Sequence, residues 1–412
     1  MEHINQHIPS GYKPSPLGPI PEDWEVKRLG EIFTFKNGVN AGKDSYGEGV
    51  RFVNTMDVLN NEYITGKILR GRVAINEKTK NEFLVSFGDV LFNRTSETRE
   101  EVGCSTVYLD NEDAVFGGFV IRAHDIDANI LNPRFKQYCF QPSYIRNQIS
   151  ALGNGAIRYN LGQEDLSKVN LLIPTKVEQE AIASVINLWD TAIAKQTALI
   201  EKLTLRKRGL MQQLLTGKKR LKGFGGEWKR IKAGEIFKSI SVKGNHSEIL
   251  LSATQEYGVI PRDQLEGRVT MPTGDTKSFK LVEVGDFVIS LRSFQGGLEY
   301  SEHRGIVSPA YTVLKPVVEI DKSFYRYYFK SAEFIGHLAI AVIGIRDGKQ
   351  ISYDDFCFVK IPYPNIEEQK AISSILLQAD REIEIAKEKL LHLQNQKRGL
   401  MQVLLTGKRR VK

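Results

Sequence analysis

One segment of this chain occurs twice, and the repetition limits what the rest can fold into. Glu178–Gly217 returns as Glu368–Gly407 at a constant offset of 190 residues. The ends of the copies, KRGLMQQLLTGKKRLK from Lys207 and KRGLMQVLLTGKRRVK from Lys397, agree at 13 of 16 positions. Upstream the residues diverge but the phase persists. A stripe spaced alternately by four and three passes through Ile182, Ile186, Trp189, Ile193, Gln196, Ile200, Leu203, Lys207, Leu210 and Leu214. The second copy supplies Ile372, Leu376, Ala379, Ile383, Ala386, Leu390, Leu393, Lys397, Leu400 and Leu404. That alternation is the seam of a coiled coil. Two independent amphipathic core helices would show the same period, but identical register argues that the copies pair with each other.

Helices of about 40 residues are roughly 60 Å long. Only a short linker separates Gly217 from the second globular segment, which leads directly into the second helix. A parallel pair would oblige that segment to span a whole helix, whereas an antiparallel pair needs no such bridge. The expectation is α+β: two similar globular domains at opposite ends of a long antiparallel two-helix coiled coil, with a pseudo-two-fold internal repeat.

At 412 residues the chain has room for two or three domains with their own cores. A net charge of +8 permits a nucleic-acid partner. Basic residues gather after each helix, at Lys218, Lys219, Arg220 and Lys222, and at Lys408, Arg409, Arg410 and Lys412, where a solvated helix end is the simple account. Cys104, Cys139 and Cys357 lack metal-knuckle or redox spacing, so reduced thiols in a cytoplasmic protein are expected. Nothing resembles a signal peptide and no apolar run reaches membrane-spanning length, so no membrane partner is expected.

In order, residues 1–20 are a proline-rich, extended leader. Residues 21–175 form a first globule, 176–222 a central helix, 224–363 a second globule and 364–412 a C-terminal helix. Trp24 and Gly30-Glu31-Ile32-Phe33 open the first globule, and Trp228 and Gly234-Glu235-Ile236-Phe237 the second. Short β-branched and aromatic runs predict strands at 51–58, 89–93, 105–109 and 115–122. Gly88-Asp89 corresponds to Gly285-Asp286, and Gly118-Phe119-Val120 to Ala310-Tyr311-Thr312. Helices are predicted over 133–151 and 323–342, each followed by a glycine loop carrying Ile157-Arg158 or Ile345-Arg346.

No catalytic constellation is present in the sequence. Two glycine–lysine loops, at 38–44 and 344–350, lack phosphate-loop spacing, and the seven histidines form no metal pair. No catalytic or metal-binding residue and no cofactor in this chain is expected. The loops are instead polar and basic. The first globule offers Lys36, Asn37, Asn93, Arg94, Thr95, Arg99, Arg158, Tyr159 and Asn160; the second offers Lys243, Asn245, His246, Arg292, Ser293, Gln295, Arg346, Lys349 and Gln350. Arginine and the carboxamides read guanine and adenine edges bidentately, and Ser, Thr and Lys hold phosphates. Solvated loop positions would look the same one at a time. What favours DNA binding is that both copies place arginine after an equivalent strand and within an equivalent glycine loop.

The phrases Pro21-Glu22-Asp23-Trp24, GDVLFNRTSE at 88–97, the Ile-Pro…Glu-Gln-x-Ala-Ile junctions from Ile173 and Ile361, and the LMQxLLTGK helix ends together resemble specificity subunits of type I restriction–modification systems. The resemblance covers essentially the whole chain. It implies two target recognition domains, each reading one half of a split double-stranded DNA sequence, and helices that set the spacer and dock two methyltransferase subunits. It further implies a motor-nuclease subunit, with S-adenosylmethionine, ATP and Mg confined to those partners. A single-chain nuclease or methyltransferase, and a coiled-coil protein-binding adaptor, are the alternatives.

Overall fold

The computed structural model describes residues 8–155, 157–245, 247–265, 276–341 and 351–411. The chain divides into two compact units, residues 1–195 with 390–412, and residues 196–389. The expected boundaries followed the helix ends. The compact units divide both long helices between them, because the terminal turns of each helix are built into the core of one unit or the other.

Those helices, Lys176–Leu214 and Ile366–Leu404, have 39 residues each. In the first unit Ile182, Ala183 and Ile186, near the start of one, share a core with Met401, Leu404 and Leu405 at the end of the other. In the second unit Leu214 and Leu215 meet Ile372 and Leu376. Start against end in each unit means antiparallel pairing. Every stripe position is buried or half-buried, while Leu188, Leu199, Leu205 and Leu391 lie off the stripe and are exposed. The buried stripe amide is satisfied: Gln196 Nε2 donates to the Ala386 carbonyl at 2.8 Å.

The fold is mixed α+β, and both units share a three-stranded antiparallel centre. The first has Phe33–Asn37, Val120–Asp125 and Val90–Asn93 in that order, extended by Ser105–Tyr108 and a parallel edge strand at Tyr63–Ile64. The second has Phe237–Ile240, Thr312–Pro316 and Phe287–Ile289, edged by Glu299–Tyr300. The Gly-Asp pair before the third strand of each centre makes the same turn. Gly88 and Gly285 take φ of +87° and +89°, where a side chain would be strained. The Asp89 and Asp286 carboxylates then accept from the amides of Ser86 and Glu283, both at 2.8 Å. Burial pushes both carboxyls above the usual aspartate range.

Several elements differ from expectation. The strand expected over 51–58 is Tyr46–Val53 followed by a helix, Thr55–Asn60, because Asn54 and Asp57 form a reciprocal capping box. The strand expected over 115–122 is two, Ala114–Phe116 and Val120–Asp125, divided at Gly117-Gly118. The helix expected over 133–151 is also two, Pro133–Cys139 and Ser143–Leu152, because Pro142 has no amide hydrogen with which to continue it. Its counterpart divides likewise into Lys322–Tyr328 and Ala332–Ala341, and Ser331 Oγ accepts the Phe334 amide at the new start. The leader makes a two-residue hairpin, Tyr12–Lys13 with Ile20–Pro21.

Equivalent polar joints fasten each globule to its helix halves. The Trp24 indole donates to Glu178 at 2.7 Å, and Arg410 pairs with Glu178 at 2.6 Å and Asp23 at 2.8 Å. In the second unit Trp228 and Arg220 reach Glu368 at 2.9 and 2.7 Å. Arg220 and Arg410, read from sequence as solvated helix-end charges, are therefore anchors. Hydrogen bonds to those carboxylates hold both guanidiniums above the usual arginine range. Gln179 accepts from the Asn132 amide and Gln369 from that of Asp321, which accounts for the Glu-Gln pair in each junction. On the stripe itself, Lys397 meets Asp190 at 2.5 Å and Glu62 at 2.7 Å. Lys207 meets Asp380. Tyr138 and Tyr327 donate to those two aspartates at 2.7 and 2.6 Å.

Candidate nucleic-acid interface

In the first unit, strand pairing gathers the candidate loops at one end of the sheet. Register sets Val120 opposite Asn93 and Ile121 opposite Asn37, so the turns after 37 and 93 and the turn before 120 open on the same edge. A short antiparallel pair, Thr95–Ser96 with Tyr159–Asn160, draws the glycine loop onto the same cluster. Arg94 lies between two of these loops: its amide donates to the Phe119 carbonyl at 2.8 Å, and its own carbonyl accepts from Leu161 at 2.9 Å. Thr95 Oγ1 donates to Asn160 Oδ1 at 2.8 Å, Arg99 covers the Tyr159 ring at 5.0 Å, and Arg158 sits 3.7 Å from Glu97 on exposed surface. Asn160 Nδ2 also donates to the Arg158 carbonyl at 3.3 Å, so five of the nine candidates, Arg94, Thr95, Arg158, Tyr159 and Asn160, are joined into this loop cluster by hydrogen bonds or strand pairing.

Two candidates of this unit are placed otherwise. Asn93 is fully buried, and its amide donates to the Glu101 carbonyl at 3.2 Å. It shapes the turn instead of facing a ligand, because its side chain alternates inward on the last strand residue. Lys36 is engaged by the Glu82 carboxylate at 3.0 Å and lies over the Phe83 ring. Asn37, at the strand end beside Gln163, is half-buried.

In the second unit Lys243, Arg292 and Gln295 are exposed, and Asn245 is half-buried with its amide on the Lys243 carbonyl. Ser293 is buried and corrects the expectation: its hydroxyl accepts the Ser290 amide at 2.8 Å, closing the turn that presents Arg292. His246, Arg346, Lys349 and Gln350 lie outside the described residues. Arg292 borders an open depression of about 900 Å³ with Gln255, Tyr257, Arg262 and Tyr311. Gln255 Nε2 reaches the Arg292 carbonyl at 3.4 Å.

Sequence reasoning missed Gln255 and Tyr257, which enter through the hairpin Leu251–Thr254 with Gly258–Pro261. It also missed Phe119 and Ile157, both strongly exposed in the first unit's cluster. The signal was available: a large apolar residue beside glycine in a basic loop has no core to enter. Cationic and carboxamide groups interleaved with aromatics suit phosphates, base edges and base faces. Among the described residues no group of His, Cys, Asp and Glu could hold a metal ion, and no helix is long and apolar enough to cross a membrane.

The family model described as "Type I restriction modification DNA specificity domain" matches residues 21–205 and again 225–395. The chain designated the type I restriction enzyme MjaX specificity subunit of Methanocaldococcus jannaschii is 25% identical over 435 residues, covering 97% of each chain. The MjaVIII specificity subunit of that organism is 24% identical, over 95% of this chain and 94% of its own. Among solved structures, a chain from work on complex assembly and conformational transition of the type I R-M system has a TM-score of 0.61. It is 19% identical, over 95% of this chain and 99% of that one.

Proposed function

This chain belongs to the type I restriction–modification DNA specificity family, and from that premise we propose that its two units each read one half of a bipartite, asymmetric duplex DNA target. The observation that carries this reading is the placement of dissimilar loops on equivalent sheet edges. Arg94 and Arg292 both follow the third strand of a shared three-stranded centre, Val90–Asn93 and Phe287–Ile289, yet their neighbours differ in every loop. Equivalent frames address equivalent faces of DNA, and different loops select different bases. The spacer between half-sites follows from the paired helices. The chain itself is the non-catalytic reader, and chemistry belongs to its partners.

Two methyltransferase subunits are the partners that the helices dock. Lys397, Arg398, Met401 and Gln402 line a groove of about 620 Å³ beside Gln141 and Pro142 in the first unit. Lys207, Arg208, Met211 and Gln212, each 190 residues earlier, line one of about 800 Å³ beside Ser331 and Ala332 in the second. Two grooves built from the same residues suit two copies of one partner. Adenine methylation would then use S-adenosylmethionine held by those partners, with a motor-nuclease subunit adding ATP- and Mg-dependent cleavage.

The test is alanine replacement read as half-site selectivity in the complex with its methyltransferase subunits. Arg94→Ala or Arg158→Ala should relax one half-site, and Arg292→Ala only the other. A direct base contact is worth about 1–3 kcal/mol of discrimination. Loss spread evenly over all sequences, with a shallower salt dependence, would mark phosphate contacts instead.

A further inference from the structure

Phe119 is 63% exposed, although phenylalanine is normally a core residue. It is also rigidly held. The Gly117 amide donates to the Val53 carbonyl at 3.0 Å, Gly118 to Val39 at 3.0 Å and Val120 back to Gly117 at 2.8 Å. A Cβ on Gly117 would meet the buried Phe52 ring at 2.7 Å, so close packing requires that glycine, whereas one on Gly118 would only displace the end of the exposed Asn40 side chain. Arg94 completes the clamp from the other side. Its amide holds the Phe119 carbonyl and its Nη1 holds the Gly118 carbonyl at 3.2 Å. The second repeat carries an aromatic residue at the corresponding place, Tyr311, half-buried at the rim of the depression beside Arg292. Two repeats whose loops otherwise differ thus keep an aromatic ring beside the strand-end arginine.

We propose that Phe119 is a specificity-determining residue of the first unit, packing its ring on the C5 methyl of a thymine next to the base pair addressed by Arg94. This rests on the reading of the first unit as a half-site reader. A phenyl ring has no donor or acceptor, so it distinguishes base pairs only through an apolar group. In the major groove the sole apolar group on a base edge is the thymine methyl. A ring carried on an already fixed backbone, with only two side-chain torsions left to settle, meets that methyl at little conformational cost, as aromatic anchors do in other interfaces. The clamp also limits how far the ring can advance, which argues against insertion between base pairs.

The experiment uses the complex with its methyltransferase subunits and target duplexes in which each thymine of the first half-site is replaced, one at a time, by deoxyuridine. One replacement should weaken wild-type binding about four-fold, the effect of uncovering one methyl. Phe119→Ala should lose at least as much on the thymine duplex and become indifferent to that replacement. Phe119→Leu should keep the sensitivity, which separates the contact from any change in folding. A wild-type complex insensitive at every thymine, a first half-site without thymine, or a Phe119→Ala complex that stays sensitive would each overturn the proposal. A 2-aminopurine signal abolished by Phe119→Ala without methyl sensitivity would overturn it in favour of a wedge. If the wild-type complex shows no sequence preference at all, the half-site reading falls with it; preserved preference without methyl sensitivity sinks only the role of Phe119.

Discussion

Glu299 shows how one residue links structure to pH. It is 1% exposed, on the edge strand of the second unit, with Lys330 at 2.7 Å from one carboxylate oxygen. Burial outweighs that lysine and pushes the carboxyl up to about 6, from an ordinary 4.5. A raised carboxyl in the folded state binds its proton more tightly than the unfolded chain does. Its contribution to stability is therefore full below pH 4.5 and lost as pH rises through 6. The span of about 1.5 pH units corresponds to about 2 kcal/mol. Hydrogen exchange at the amides of Phe287–Ile289 and Glu299–Tyr300 should accordingly report a decline in opening free energy between pH 4.5 and 6.5. Glu299→Gln should flatten that decline; an unchanged slope would assign it to another group. Glu299 was invisible in the sequence, since nothing in Leu-Glu-Tyr says which side of an edge strand is covered. The position of the arginines after equivalent strands was legible because it repeats, but the burial of their neighbours Asn93 and Ser293 was not, because polarity alone does not distinguish a turn-former from an exposed side chain.

Among the elements, the long helices were the most legible. Their period and register follow from the stripe and their pairing sense from the short linker after Gly217, and the structure places every stripe position at least half inside. What the stripe could not reveal is that its burial is graded. Ile182, Ile186, Ile372 and Leu376 are at most 1% exposed against a globule, whereas Ile200, Leu203, Leu390 and Leu393 are only half-buried. Two helices cover only part of each other, and the globules complete the job at their ends. The failures were local and had local causes, a capping box and a proline that the wider pattern obscured. Leu203→Asp or Leu393→Asp should still disturb the pairing, by about 2 kcal/mol at half-buried sites. Co-purification with methyltransferase subunits should fall while circular dichroism keeps the signature of folded globules. Assembly that survives both changes would mean that the pairing is not what the partners recognise. Gly209 and Gly399 lie in these same helices with open space where a Cβ would stand, so nothing within either unit requires glycine there.

For the whole molecule, the decisive fact is that both long helices are shared. The first helix contributes to one unit as far as Lys195 and to the other from Gln196. Four residues inserted after Ala198 therefore add a turn, about 6 Å of helix, to the segment common to both readers. The insertion disturbs a four-three stripe only mildly, since four residues are close to one turn. DNA rises about 3.4 Å per base pair, so the spacer between half-sites should lengthen by one or two base pairs. The smaller figure is expected, because the second helix keeps its length and holds part of the stripe in its old register through the Lys207–Asp380 and Lys397–Asp190 pairs. No recognition loop is altered, so both half-site sequences should stay as they were. Sequencing methylated sites in cells that carry the insertion with its methyltransferase subunits reads out both quantities at once. A longer spacer between unchanged halves is the expected result. Changed half-sites at the original spacing would mean that the helices do not set the distance, and the division of labour between loops and helices would have to be abandoned.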